Sequence, residues 1–169
     1  MLISNDMRRS QIVTWFIGLL LAAATPAFSA ALDFGWGPPI EVKVHPKDRY
    51  LVWPIQISNS GPVRMTPSLE IVAVTDTGKQ YIPEETAEVH MPAATEEIIS
   101  VAALQAHIFP SATRRAAVVF ERFDPRAKVV HFYVGGLTQG PTSRSSPYLH
   151  VTYKRSGAGW TWQSTSVLE

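Results

Sequence analysis

The chain contains no cysteine. That removes thiol catalysis, disulfides, thiolate metal centres and the acylated cysteine of a bacterial lipoprotein. It also lacks an apolar run of the about 20 residues that a membrane-spanning helix requires; the stretch Ile12 to Ala24 is interrupted by Thr14 and Gly18 and closed by Pro26. No Gly-x-Ser-x-Gly elbow, Ser-x-x-Lys, His-Glu-x-x-His or phosphate-cradling glycine loop occurs. An enzyme would therefore need an unfamiliar site. Beyond the first 31 residues there is no internal repeat, linker or low-complexity tract, so a single domain is expected.

What is present begins at the N-terminus. Met7-Arg8-Arg9 precedes the apolar run, and the small residues Pro26-Ala27-Phe28-Ser29-Ala30-Ala31 follow it. A basic start, an apolar core and a small-residue end are the parts of a cleaved secretory signal. Cleavage is expected after Ala31 rather than after Ser29, giving a signal over 1–31 and one domain over 32–169. The flanks of Arg8-Arg9 lack the fuller twin-arginine pattern. Loss of Arg8, Arg9 and Asp6 takes the basic residues from 15 to 13 and the acidic ones from 14 to 13. The exported chain is thus near neutral, with no positive field to recruit nucleic acid or anionic lipid. About 138 residues are enough to bury a core without disulfides.

Alternating apolar residues then predict strands at Ile40–His45 and Tyr50–Ser58, the second with Leu51, Trp53, Ile55 and Ile57 in phase. Pro54 inside it predicts an edge strand or a bulge. Asp33 to Pro39, with two glycines and two prolines, reads as an irregular lead-in. Leu69–Val74, the Asp76-Thr77-Gly78-Lys79 turn and Tyr81-Ile82 form a hairpin signal. Further strands are expected at Arg115–Phe120, Lys128–Val134, Tyr148–Lys154 and Trp160–Trp162, and a short helix within Thr95–Ala106. About eight short strands without a βαβ rhythm predict an all-β antiparallel sandwich, with a closed barrel as the alternative.

Candidate ligand-binding residues are few. Of the five histidines, His45, His131 and His150 each read as sheet-face or surface residues, and no two are placed together by spacing alone. His90 beside Met91 is the candidate metal site, because copper accepts both imidazole and thioether. Trp160 and Trp162 share a strand face, and that face or an exposed Trp36 could stack on a sugar ring. Core packing is the commoner reason for large rings in a sandwich. Glu84-Glu85, Glu96-Glu97 and Arg114-Arg115 are adjacent residues that diverge and read as solvated.

The run Ile55-Gln56-Ile57-Ser58-Asn59-Ser60-Gly61, the Thr75-Asp76-Thr77-Gly78-Lys79-Gln80-Tyr81 hairpin, Ala117-Val118-Val119-Phe120, Asp124-Pro125-x-Ala127 and His131 to Leu137 resemble bacterial secreted domains of the immunoglobulin-like kind. The resemblance covers about 100 residues and lacks the two cysteines of disulfide-bearing immunoglobulin domains. It implies an immunoglobulin-like sandwich of seven to eight strands in which these motifs serve folding, and it carries over no catalytic residue. The expectation is therefore a non-enzymatic exported protein, periplasmic or secreted. It would act as an interaction or accessory module of the bacterial cell envelope, with a protein partner and no cofactor. The alternative is a periplasmic binder of a metal or glycan.

Overall fold

The computed structural model describes residues 32–45, 48–84, 100–137 and 147–168. They form nine strands and one short helix. These are β1 (Leu32–Trp36), β2 (Ile40–His45), β3 (Asp48–Asn59), β4 (Glu70–Thr75), β5 (Gln80–Tyr81), α1 (Val101–Leu104), β6 (Thr113–Phe120), β7 (Val129–Gly135), β8 (Tyr148–Ser156) and β9 (Gly159–Leu168).

Two antiparallel sheets face each other. In the first, β3 pairs with β6 on one side and with β1 and then β2 along the other. The second runs β5-β4-β7-β8-β9. The chain leaves the first sheet after β3, returns for β6 and leaves again for β7. That order, with β3 beside β6 and β4 beside β7 and β8, is the immunoglobulin-like Greek key with β9 added at its rim. The sheets do not close into a barrel.

Period-two alternation drives the core. In β3 the burial of Leu51, Trp53, Ile55 and Ile57 matches that of Phe132 and Val134 in β7 and Val151 and Tyr153 in β8. The Trp53 ring stacks on Phe132 with centroids 4.0 Å apart and planes at 7°. Its Nε1–H donates to Gly37 O (3.1 Å), which also accepts from Tyr153 Oη (2.9 Å), so one carbonyl ties the two sheets together. Burial of that hydroxyl pushes the Tyr153 pKa well above the ordinary phenol value.

Three local expectations are corrected. The lead-in from Asp33 is regular: Leu32 and Phe34 turn inward as β1, and the strand ends at Trp36, before Gly37 and Pro38-Pro39. Pro54 marks neither an edge nor a bulge, because β3 is paired on both sides and its register with β6 is continuous through Pro54–Ala117. The Pro54 carbonyl accepts from Gly37 N (3.0 Å), and both backbone groups of an antiparallel residue face the same neighbour. The missing N–H therefore faces Gly37, just past the end of β1, and the Gly37 carbonyl opposite it accepts from Trp53 Nε1 and Tyr153 Oη instead. The helical segment is only four residues, Val101–Leu104, capped by Ser100 Oγ accepting from Ala103 N (3.2 Å); residues 95–99 of the expected helix lie outside the described residues. The last strand is ten residues long rather than three.

Two buried polar groups anchor the ends. The Asn59 amide donates to Val63 O (2.8 Å) and Ile108 O (2.9 Å) while its Oδ1 accepts from Gly61 N (3.0 Å), pinning the turn after β3 against the segment before β6. Asp124, with a nearly inaccessible side chain, accepts from Arg126 N and from the Arg126 guanidinium, and pairs with Lys79 Nζ at 3.0 Å. These partners, Arg126 first, hold the carboxyl well below its usual pKa.

Candidate functional site

On the outer face of the five-stranded sheet two histidines, two tyrosines and a threonine come together. Outward positions of β7 and β8 alternate with core positions, so His131 and Tyr133 on β7 lie on the same face as Tyr148, His150 and Thr152 on β8. The register pairs His131 with Thr152 and Tyr133 with His150, and β9 adds Ser166 opposite His150. The histidines lie diagonally across the strand pair and their rings meet.

His131 Nδ1 stands 3.0 Å from His150 Nε2 and 3.1 Å from Thr152 Oγ1, and the triangle closes at 3.3 Å between Thr152 Oγ1 and His150 Nε2. On its far side His150 Nδ1 reaches Ser166 Oγ at 3.3 Å. The Tyr133 ring stacks on His150 with centroids 4.7 Å apart at 7°, and the His131 ring lies 5.2 Å away at 29°. Burial, and secondarily the neighbouring His131, hold the His150 pKa below its ordinary value. The ring is accordingly neutral at neutral pH. Two proton arrangements satisfy the contacts: His131 Nδ1–H donates to His150 Nε2 while His150 Nδ1–H donates to Ser166, or His150 Nε2–H donates to His131 Nδ1 while the Ser166 hydroxyl donates to His150 Nδ1. At one end of the face Tyr148 Oη donates to Glu70 Oε2 (2.9 Å), which raises the Tyr148 pKa.

The residues singled out from sequence are dispersed. His90 and Met91 lie outside the described residues, as do Glu85, Glu96 and Glu97. Trp160 is buried, with the Arg155 guanidinium 4.7 Å above its ring and its Nε1–H donating to Glu41 Oε1 (3.2 Å). Trp162 shares its face but is 49% exposed. Trp36 is half-buried, packed beside Phe34 with centroids 5.8 Å apart, so the exposed tryptophan among the described residues is Trp162. Of Arg114 and Arg115, the first is not merely solvated: its guanidinium donates to Ala103 O (3.0 Å) at the end of α1. The meeting of His131 with His150 was not read from the sequence, although aligning the two strands outward from the Gly135–Tyr148 loop would have suggested it.

Among the described residues no three His, Asp or Glu side chains converge, and no helix is long and apolar enough to cross a membrane. Comparison with family models, characterised proteins and solved structures finds no match to the chain.

Proposed function

We propose that this chain is an exported, non-enzymatic interaction module of a bacterial cell envelope, and that the free edge of β9 receives an extended segment of a partner protein. The observation that carries the reading is the character of that edge. β9 is ten residues long, Gly159–Leu168, with no charged residue and no proline, and its side away from β8 is unpaired among the described residues. Long uncharged edges offer a row of backbone donors and acceptors, and folded proteins ordinarily guard them with brevity, charge, proline or a covering segment.

The other rims carry such guards. β5 has two residues, and β1 and β2 are separated by Pro38-Pro39 and carry Asp33, Glu41 and Lys43. β6 carries Arg114 and Arg115 and is met on its outer side by Glu84 N–H donating to Val119 O (2.8 Å). On β9 the sole device is a register shift opposite Thr152 and Tyr153, which leaves Gln163 unpaired. An added strand would bond to the backbone on either side of that bulge, with Trp162 and Leu168 as apolar anchors, both substantially exposed. Export is supported by the residue pattern of 1–31.

The test is photo-crosslinking in intact cells from Thr161 and Ser164 on β9, with Thr77 on the β4–β5 turn as the control position. One envelope protein captured from β9 and not from Thr77 is the expected result. Capture of the chain by itself makes the edge a contact between copies and overturns the partner reading, as does equal capture from the control. N-terminal sequencing of the exported protein, with a start at Leu32 or Ala30, tests the export half separately.

A further inference from the structure

We propose that His131, His150 and Thr152 form a binding site for a borderline divalent transition-metal ion on the outer face of β7 and β8. The inference is independent of the β9 edge. Imidazole nitrogens bound to one such ion at about 2.0–2.1 Å, with bond angles between square and tetrahedral, stand about 2.9–3.4 Å apart. His131 Nδ1 and His150 Nε2 are already 3.0 Å apart, held there by the pairing of two central strands.

Thr152 Oγ1, at 3.1 and 3.3 Å from the two nitrogens, completes a triangle with the edge lengths of one face of a coordination sphere. It can ligate weakly or accept a hydrogen bond from a metal-bound water. The apo contacts also make chemical sense of the exchange. The hydrogen bond between the rings aims a lone pair and an N–H at the same small space, and a cation takes the place of that proton. The ring that carries the shared proton moves it to its other nitrogen, so both rings stay neutral and no net proton is lost. A small rotation of either ring turns both lone pairs toward a common centre.

The surroundings are those of an oriented ligand. Ser166 Oγ meets His150 Nδ1 and can accept its proton when Nε2 binds metal, and Tyr133 stacked on the same ring holds its plane. Two imidazoles with no thiolate and no carboxylate select copper(II), nickel(II) or zinc(II) over calcium or magnesium, with copper(II) bound most tightly. The other sphere positions belong to water, so the site takes an exchangeable ion rather than a structural one.

The experiment is titration of the full exported protein with copper(II), nickel(II), zinc(II) and magnesium(II) chlorides by calorimetry, with copper(II) electron paramagnetic resonance on the same samples. Expected are one equivalent of copper with nitrogen couplings from two imidazoles, the order copper above nickel and zinc, and no magnesium binding. His131→Gln and His150→Gln should each weaken copper binding at least about tenfold. His107→Ala and His90→Ala should leave it unchanged. Thr152→Val, which keeps the shape of the sheet face, should weaken it without altering the thermal midpoint, so that loss of binding is separated from loss of fold. Copper binding unchanged in both glutamine variants, or abolished by His90→Ala or His107→Ala, would overturn the assignment. So would a spectrum with coupling from fewer than two imidazoles.

Discussion

Replacing Asn59 probes whether the end of the sandwich is held by one buried amide. Its side chain is 1% exposed and makes three hydrogen bonds, to Val63 O, Ile108 O and Gly61 N. Each such bond contributes about 1 kcal/mol net, but truncation does not orphan all three partners. Ile108 O keeps its bond from Met65 N, and Val63, itself exposed, can turn its carbonyl to water. Asn59→Ala is therefore expected to lose about 2 kcal/mol, or about 8 °C in thermal midpoint for a domain of this size. Asn59→Asp is the sharper perturbation. It keeps the acceptor for Gly61 N but turns a carboxylate on two carbonyl oxygens in a buried place, which should destabilise by about 4 kcal/mol at pH 8.

Burial and those oxygens raise the introduced carboxyl's pKa in the folded state above its unfolded value. The native form then binds a proton more readily than the unfolded chain, and the penalty shrinks as pH falls from 8 to 5. Urea denaturation of wild type, Asn59→Ala and Asn59→Asp at both pH values measures all of this. An alanine loss below about 0.5 kcal/mol, or an aspartate variant at pH 8 no less stable than the alanine one, would refute the reasoning.

Gly136 has φ +75° and a Cβ there would lie 1.6 Å from Ser68 O, whereas Gly78 has φ +77° in open space. Gly136→Ala should therefore fail to fold or lose more than about 3 kcal/mol, against about 1 kcal/mol for Gly78→Ala, in the same urea assay. Trp53→Ala should cost about 3–5 kcal/mol and Trp162→Ala less than about 0.5 kcal/mol, because one ring fills the space between the sheets and the other is half in water. The Asp124 carboxyl, depressed chiefly by Arg126, ionises more readily folded than unfolded, so its contribution is present above the ordinary value of 3.8 and is lost as pH falls below it. Acid melts of wild type and Asp124→Asn should converge as pH drops from 5 to 2, and parallel curves would contradict the ion-pair account.

Most strands were legible because apolar alternation is a local property of each segment. Ile40–His45, the Leu51 to Ile57 phase and the β4–β5 hairpin all follow from it. β1 escaped notice because Gly35, Gly37 and the prolines mask a five-residue alternation whose backbone partners, Ile55 to Asn59, lie in β3 rather than nearby in sequence. Pro54 misled for a related reason: whether a missing N–H matters depends on what lies beside it, and the neighbour here is Gly37, whose carbonyl is satisfied by two side chains. The full length of β9 was hidden because Gln163-Ser164-Thr165-Ser166 has little apolar contrast, and its pairing with β8 supplies the order.

By itself the sequence determined an all-β chain, because the two-residue period, the turn clusters and the absence of long apolar or helical stretches are written in neighbouring residues. Tertiary structure alone decided which histidines meet and which edge is unpaired among the described residues. His131 and His150 are nineteen residues apart, and their 3.0 Å approach exists only in one register of β7 on β8. A one-residue slip would send one of the rings into the core.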